Sequence, residues 1–134
     1  MEAYARHTDK FDLVAICDTN PATLNAIGDE FGVAVRTTKF EDLLAMPGVD
    51  AIDICSPPFT HFGMMRDTLA AGKSAICEKP LVGSLYEVDE IIRLEREAPG
   101  HVMPIFQMRW GTGMSQARAL IQSGIIGKPQ VCTV

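Results

Sequence analysis

The sequence predicts an α/β fold with a doubly wound parallel sheet, and three observations carry that reading. Short apolar, β-branched runs alternate with amphipathic segments along the 134 residues, the pattern left by successive βαβ units. Turn-forming residues separate nearly all of these segments, so each run ends where a connection must begin. Ionisable residues directly follow two of the runs, Asp18 after one and Glu78 with Lys79 after another. The carboxyl ends of parallel strands are where such sheets keep their ligands.

In chain order, Met1 to Lys10 reads as the tail of a helix and Phe11 to Cys17 as a strand. Asn20 and Pro21 supply an N-cap and a first-turn proline for a helix with apolar Leu24, Ile27 and Phe31, ended by Gly32. Val33 to Arg36 is a short strand. Thr38 with Glu41 forms a capping-box pattern for a brief helix through Ala45, stopped at Pro47 and Gly48. Val49 to Cys55 is the next strand, Thr60 to Ala71 a helix closed by Gly72, and Ser74 to Cys77 the strand that leads into Glu78. A second capping box, Ser84 with Glu87, opens a helix carrying Val88, Ile91, Ile92 and Leu94, which Pro99 and Gly100 end. Val102 to Phe106 is the last strand of the series. Gly111 to Ser123 then reads as a helix, Gly124 to Pro129 as a turn-rich link, and Gln130 to Val134 as a further strand.

With 47% hydrophobic and 22% charged residues, the chain has the composition of one ordinary globular domain with an adequate core. The net charge of −5 comes from scattered acidic residues and no Lys/Arg cluster exceeds a pair, which argues against nucleic acid or an anionic membrane as partner. No apolar run approaches the roughly 18 residues of a membrane span, and the N-terminus lacks a basic-then-apolar signal pattern, so a cytoplasmic protein is expected. The four cysteines, Cys17, Cys55, Cys77 and Cys132, are far apart, with no C-x-x-C and no histidine at ligand spacing. Buried thiols and no metal site are expected.

Three places carry candidate chemistry. Asp18 sits where dinucleotide-binding folds put the carboxylate that accepts hydrogen bonds from a ribose 2′-hydroxyl, although Asp18, Thr19, Asn20, Pro21 is also turn chemistry in its own right. Ser56, Pro57, Pro58, Phe59, Thr60 and His61 follow a strand; two prolines hold the backbone extended, either as a wall against a flat ring or only to stop the strand. His61 falls in the first turn of the next helix, as a cap, a surface residue or a ligand contact. Glu78, Lys79 and Pro80 place a carboxylate beside an amine at a strand exit, fit for proton transfer or for capping the strand with a solvated ion pair. Gly111 and Gly113 imitate the start of a G-x-G-x-x-G, but position 116 is Gln and the run comes too late for a first βαβ unit, so they read as a loop that binds no phosphate.

Asp18, the Ser56 to His61 loop and Glu78, Lys79, Pro80, in this order and each after a strand, resemble the Gfo/Idh/MocA family of NAD(P)-dependent oxidoreductases. Phe106, Gln107, Met108, Arg109 is similar to that family's domain junction, and Ala119 to Pro129 to its link into the second domain. The resemblance implies hydride transfer between a nicotinamide and a small polyol, sugar or related carbonyl compound. It implies that Asp18 holds the adenosine ribose and favours NAD, with NADP not excluded. It further implies that Ser56, Pro57, Pro58, His61, Glu78, Lys79 and Pro80 line the cofactor, that Lys79 reaches nicotinamide and substrate, and that Arg109 helps fix the substrate. A catalytic Lys79 is sensible chemistry, because hydride leaving a carbinol carbon leaves a hydroxyl proton to be removed; partial burial would lower its pKa, and Glu78 would set its orientation or charge. Pro58 departs from the asparagine often found at its position.

The glycine-rich loop of such folds lies about 20 residues before the acidic residue, so its place falls at or before Met1. The expected architecture is therefore a truncated Rossmann-type sheet whose first strand is missing. Residues 1–106 make an incomplete NAD(P)-binding domain, and 107–134 the junction and start of a truncated C-terminal α/β substrate domain. Losing a central strand leaves two facing edges unpaired, at about 1 to 3 kcal/mol per buried orphan group. Three outcomes are open: the halves close up directly, another chain supplies the strand, or the sequence is a piece of a longer protein. A fragment inactive alone is expected, or else a non-catalytic assembly module of the same fold; a small-molecule substrate and a homo-oligomer are the partners foreseen.

Overall fold

The computed structural model describes residues 1–131 of the chain. Its order is α1 (Glu2–Ala5), β1 (Ala15–Cys17), α2 (Pro21–Phe31), β2 (Val35–Thr37), α3 (Phe40–Ala45), β3 (Ala51–Ile54), α4 (Pro58–Ala70), β4 (Ser74–Cys77), α5 (Leu85–Glu97), β5 (Val102–Pro104), a 3-10 helix (Gln107–Trp110) and α6 (Thr112–Gln122). Strand and helix alternate as the sequence predicts, and every strand pairing is parallel.

Local chemistry explains both the agreements and the shifts. Asn20 accepts the Ala22 and Thr23 N–H groups at 2.9 and 3.4 Å, and Gly32 ends α2 with a left-handed φ of 67°, a conformation glycine adopts without a Cβ clash. At α5 the serine half of the Ser84–Glu87 box forms, Ser84 Oγ accepting the Glu87 N–H at 3.2 Å, while Glu87 Oε2 accepts the N–H of Gly83, one residue before the cap, at 2.9 Å. The predicted box of Thr38 with Glu41 does not form. Thr37 takes that place, its hydroxyl accepting the Lys39 N–H at 3.0 Å and donating to the Asp42 carboxylate. Helix α4 begins at Pro58, two residues before the predicted Thr60, because a proline at the first helical position loses no hydrogen bond and its φ is already helical. Only Pro57 is extended, at ψ 143°.

The strands are shorter than their apolar runs, because a ladder extends only where a partner backbone lies opposite. Phe11 and Val14, predicted to be in the first strand, precede it and are exposed. The predicted helix tail over Met1 to Lys10 is one turn, α1, followed by hydrogen-bonded turns at His7. Gln130 and Val131 carry no regular structure, and the rest of the predicted strand Gln130 to Val134, with Cys132, lies outside the described residues.

Two sheets result. One pairs β1 with β2; the other runs β3-β4-β5. Among the described residues no ladder joins β1 to β3, so direct closure of the two halves does not occur. Side-chain packing continues where the ladder stops: Ala15 and Cys17 lie against the main core of Leu43, Ile52, Ile54, Met65, Cys77 and Ile91. In the three-stranded sheet Ile52 and Ile54 are buried, while the row Asp53, Ile76, Met103 lines the opposite face, and Met103 there is 55% exposed. Tyr4 reaches this second face, donating its hydroxyl to Asp53 Oδ2 at 2.8 Å. Burial first, then that hydrogen bond, holds the Tyr4 hydroxyl far above its ordinary pKa, so it remains a donor. Among the described residues no helix is long and apolar enough to cross a membrane.

Candidate functional site

Two of the three motifs are brought together by the ends of β3 and β4. Neighbouring parallel strands deliver their connections to the same edge, and here the Glu78 N–H donates to the Ile54 carbonyl at 3.0 Å, extending the ladder by one bond. The Ser56 loop and the Glu78–Pro80 turn therefore leave the sheet side by side. The Lys79–Pro80 peptide bond is cis.

His61 joins them. Its ring is 1% exposed, with Nε2 2.9 Å from the Ser56 carbonyl oxygen and Nδ1 2.9 Å from the Pro80 carbonyl oxygen. His61 is thus neither a surface residue nor a helix cap, two of the roles its position allowed; both ring nitrogens face backbone carbonyls. Thr60, which sequence reasoning passed over, reinforces the loop from the other side. Its hydroxyl lies 2.7 Å from the Pro57 carbonyl and 2.6 Å from Ser56 Oγ. The readable signal was a serine four residues before a threonine across a helix start, a spacing that brings two hydroxyls together.

Glu78 and Lys79 do not form an ion pair among the described residues. The Glu78 carboxylate instead accepts the Lys79 backbone N–H at 3.0 Å, which removes the ion-pair alternative and leaves the amine free. Lys79 is exposed, so the partial burial expected for it is not supplied by these residues. Next to Pro80, between the start of α4 and the loop that follows, lies a shallow, largely apolar cleft of ≈ 390 Å³ lined by Pro58, Phe59, Phe62, Pro80, Val82, Gly83 and Glu87.

Asp18 stands apart, at the carboxyl end of β1 in the other sheet. Its Oδ1 accepts the Asn20 N–H at 2.7 Å and its own N–H donates to the Thr37 carbonyl at 3.3 Å. Oδ2 has no partner among the described residues, so the turn reading and the ribose reading each have an oxygen available. Arg109, in the 3-10 helix past β5, is exposed and its guanidinium contacts neither loop. Gly111 lies outside α6 in an extended bend, as the loop reading expects, whereas Gly113 lies within the first turn of α6 and not in a loop.

The described thiols meet the expectation of burial only at Cys77, since Cys17 is half-buried. Cys77 is buried, but Cys55 is exposed, because it follows the last residue of β3 on the open side of the sheet. Desolvation first, then the Asp53 carboxylate 3.6 Å from its sulfur, pushes Cys55 up to about 11. Burial and the neighbouring Cys55 push Cys77 up to about 11. Among the described residues no group of three or more His, Cys, Asp or Glu side chains is placed to hold a metal ion.

A family model described as an oxidoreductase family with an NAD-binding Rossmann fold matches residues 1–106. The chain belongs to the Gfo/Idh/MocA oxidoreductase family. Among its curated relatives, D-apiose dehydrogenase of Rhizobium rhizogenes is 32% identical over 117 residues, covering 87% of this chain and 34% of that protein. Inositol 2-dehydrogenase of Rhizobium meliloti is 30% identical, over 91% of this chain and 36% of that protein. An oxidoreductase from Agrobacterium radiobacter, solved with NAD+, L-tartaric acid and magnesium, superposes with a TM-score of 0.82 at 33% identity, over 87% of this chain and 34% of that one. This Gfo/Idh/MocA chain thus spans about a third of the length of the relatives it matches, and its fold is an NAD-binding one.

The residues present fit part of that cofactor. A carboxylate with a free oxygen at the end of β1 suits a ribose hydroxyl, and rigid proline edges beside a lysine suit a flat ring with chemistry next to it. No glycine-rich phosphate cradle precedes α2 among the described residues.

Proposed function

We propose that the protein carrying this chain is an NAD-dependent dehydrogenase of small polyols or sugars in which Lys79 handles the hydroxyl proton. The observation that carries this reading is the pairing of two loops at the ends of β3 and β4, which sets Lys79 next to Pro80 at the rim of that cleft, its amine in no ion pair among the described residues. The relatives support the substrate class, since apiose and inositol are both polyhydroxylated.

NAD, when bound, supplies the hydride acceptor. Asp18 would take the ribose through Oδ2, and its negative charge repels a 2′-phosphate, which favours NAD over NADP. Ser56, Pro57, Pro58 and Pro80 would line the cofactor. Lys79 would accept the proton of a carbinol hydroxyl as its carbon loses hydride, or return it in the reductive direction. Glu78, tied through its carboxylate to the Lys79 backbone, orients the turn. Arg109 would hold a substrate hydroxyl or carboxylate from the segment 107–134, the junction to a substrate domain.

Proton handling predicts a particular kinetic pattern. In the full-length protein Lys79→Ala should lower kcat by 10²-fold or more, the usual size of a general acid–base contribution, while calorimetry finds NAD+ affinity within about threefold. Equal losses of turnover and affinity would instead make Lys79 a cofactor clamp. A second reading rests on the unjoined edges of β1 and β3: alone, this chain acts as an assembly module that pairs through them, and self-association of the isolated chain by light scattering would support it.

A further inference from the structure

We infer that His61 is a positioning residue, whose imidazole ties the Lys79–Pro80 turn to the Ser56 loop and so sets where that turn presents Lys79. The inference rests on the reading of Lys79 given above. Among the described residues only His61 and Thr68 are buried polar side chains, and the Thr68 hydroxyl donates within its own helix, to Met64 O at 2.7 Å. His61 alone of the two spans separate segments, one nitrogen 2.9 Å from Ser56 O and the other 2.9 Å from Pro80 O.

Both partners are carbonyl oxygens, which only accept. A neutral ring donates one N–H and a cationic ring two, so at least one contact is a hydrogen bond in either form. The ring itself is held from below. It projects from the first turn of α4, a 13-residue helix that packs on β3 and β4, and the buried Met65 lies one turn further along on the same side of that helix. The Ser56 loop is braced independently by Thr60, whereas the Pro80 carbonyl accepts no other hydrogen bond among the described residues. With the ring N–H on Nδ1, donating to Pro80 O, removing the ring releases the turn that carries Lys79 while leaving the Ser56 loop tied to its helix. His61 thus acts through Lys79 and needs no contact with cofactor or substrate.

A double-mutant cycle in the full-length protein tests this. His61→Gln should lower kcat about tenfold or more with the Kd for NAD+ within about threefold, and in a Lys79→Ala background the same substitution should change kcat by less than twofold, because the residue it positions is gone. An undiminished kcat in folded His61→Gln, or an equal loss in both backgrounds, overturns the proposal. If Lys79→Ala alone keeps wild-type turnover, the functional reading falls and the positioning role with it; if only Lys79→Ala is impaired, the positioning role alone falls. Should His61→Gln fail to fold, NMR of the ¹⁵N-histidine-labelled wild-type protein decides. A slowly exchanging His61 ring N–H supports the clamp, and a ring N–H that exchanges as freely as that of an exposed histidine overturns it.

Discussion

Asp18 and His61 show how a residue's neighbours, rather than its type, decide what it can do. Asp18 was legible as a strand-end carboxylate; that one of its oxygens is committed to the Asn20 N–H and the other has no partner follows only from the folded turn. His61 was legible as a helix-start histidine, but its carbonyl partners come from residues 5 and 19 positions away, and the distant one depends on how β3 and β4 pair. The thiols make a prediction at this scale. Because burial and Asp53 raise Cys55 to about 11 from an ordinary 9.0, little of it is thiolate near neutrality, and native Cys55 should alkylate at pH 8 roughly tenfold more slowly than a cysteine in a peptide, its scarcer thiolate being partly offset by greater nucleophilicity. The sign of the linked stability follows. Below pH 9 the thiols of Cys55 and Cys77 are protonated in folded and unfolded chains alike. Between about 9 and about 11 the unfolded chain releases protons that the folded one retains, so stability falls as pH rises through that window. Chemical denaturation at pH 8 and pH 10 measures it; a variant with Cys55 and Cys77 both replaced by alanine that still loses as much stability between pH 8 and pH 10 as the wild type would count against the thiols as its source.

Elements whose ends are set by short-range chemistry were readable, and those set by distant partners were not. The Asn20 cap, the serine half of the Ser84–Glu87 box and the stop at Gly32 each need only residues within one turn, and each forms. The strand limits did not follow from the apolar runs, since pairing over Ala15–Cys17 or Ala51–Ile54 depends on where β2 and β4 lie. The exchange of Thr38 for Thr37 at α3 is an intermediate case: the β2 ladder ends at Thr37, and this fixes which threonine turns toward Asp42. Ser84→Ala removes the acceptor of the Glu87 N–H and should cost about 1 kcal/mol, read as a lowered denaturation midpoint with an unchanged denaturant slope. Glu87→Ala, which frees the Gly83 N–H, should cost a similar amount, and the two losses should be less than additive because they share one box.

For the molecule as a whole, the alternation of strand and helix announced a parallel α/β sheet, and the structure holds it as two ladders with one packed core beneath them. The site follows the same division. Lys79, Pro80 and the Ser56 loop belong to the β3-β4-β5 sheet, Asp18 to the β1-β2 sheet, and a dinucleotide reaching from one to the other would tie the two together. Ligand bound to the folded state then adds stability in proportion to its saturation. The central claim is that these two halves make one NAD site, with Asp18 on the ribose. Calorimetric titration of NAD+ into the full-length protein and its Asp18→Asn variant tests it most directly. Asparagine keeps an acceptor for the Asn20 N–H while losing the charge, so the account predicts saturable one-to-one binding by the wild-type protein and about tenfold weaker binding by the variant, the size of a lost charge-assisted hydrogen bond. No binding by the wild-type protein, or equal affinity in the two, would contradict it.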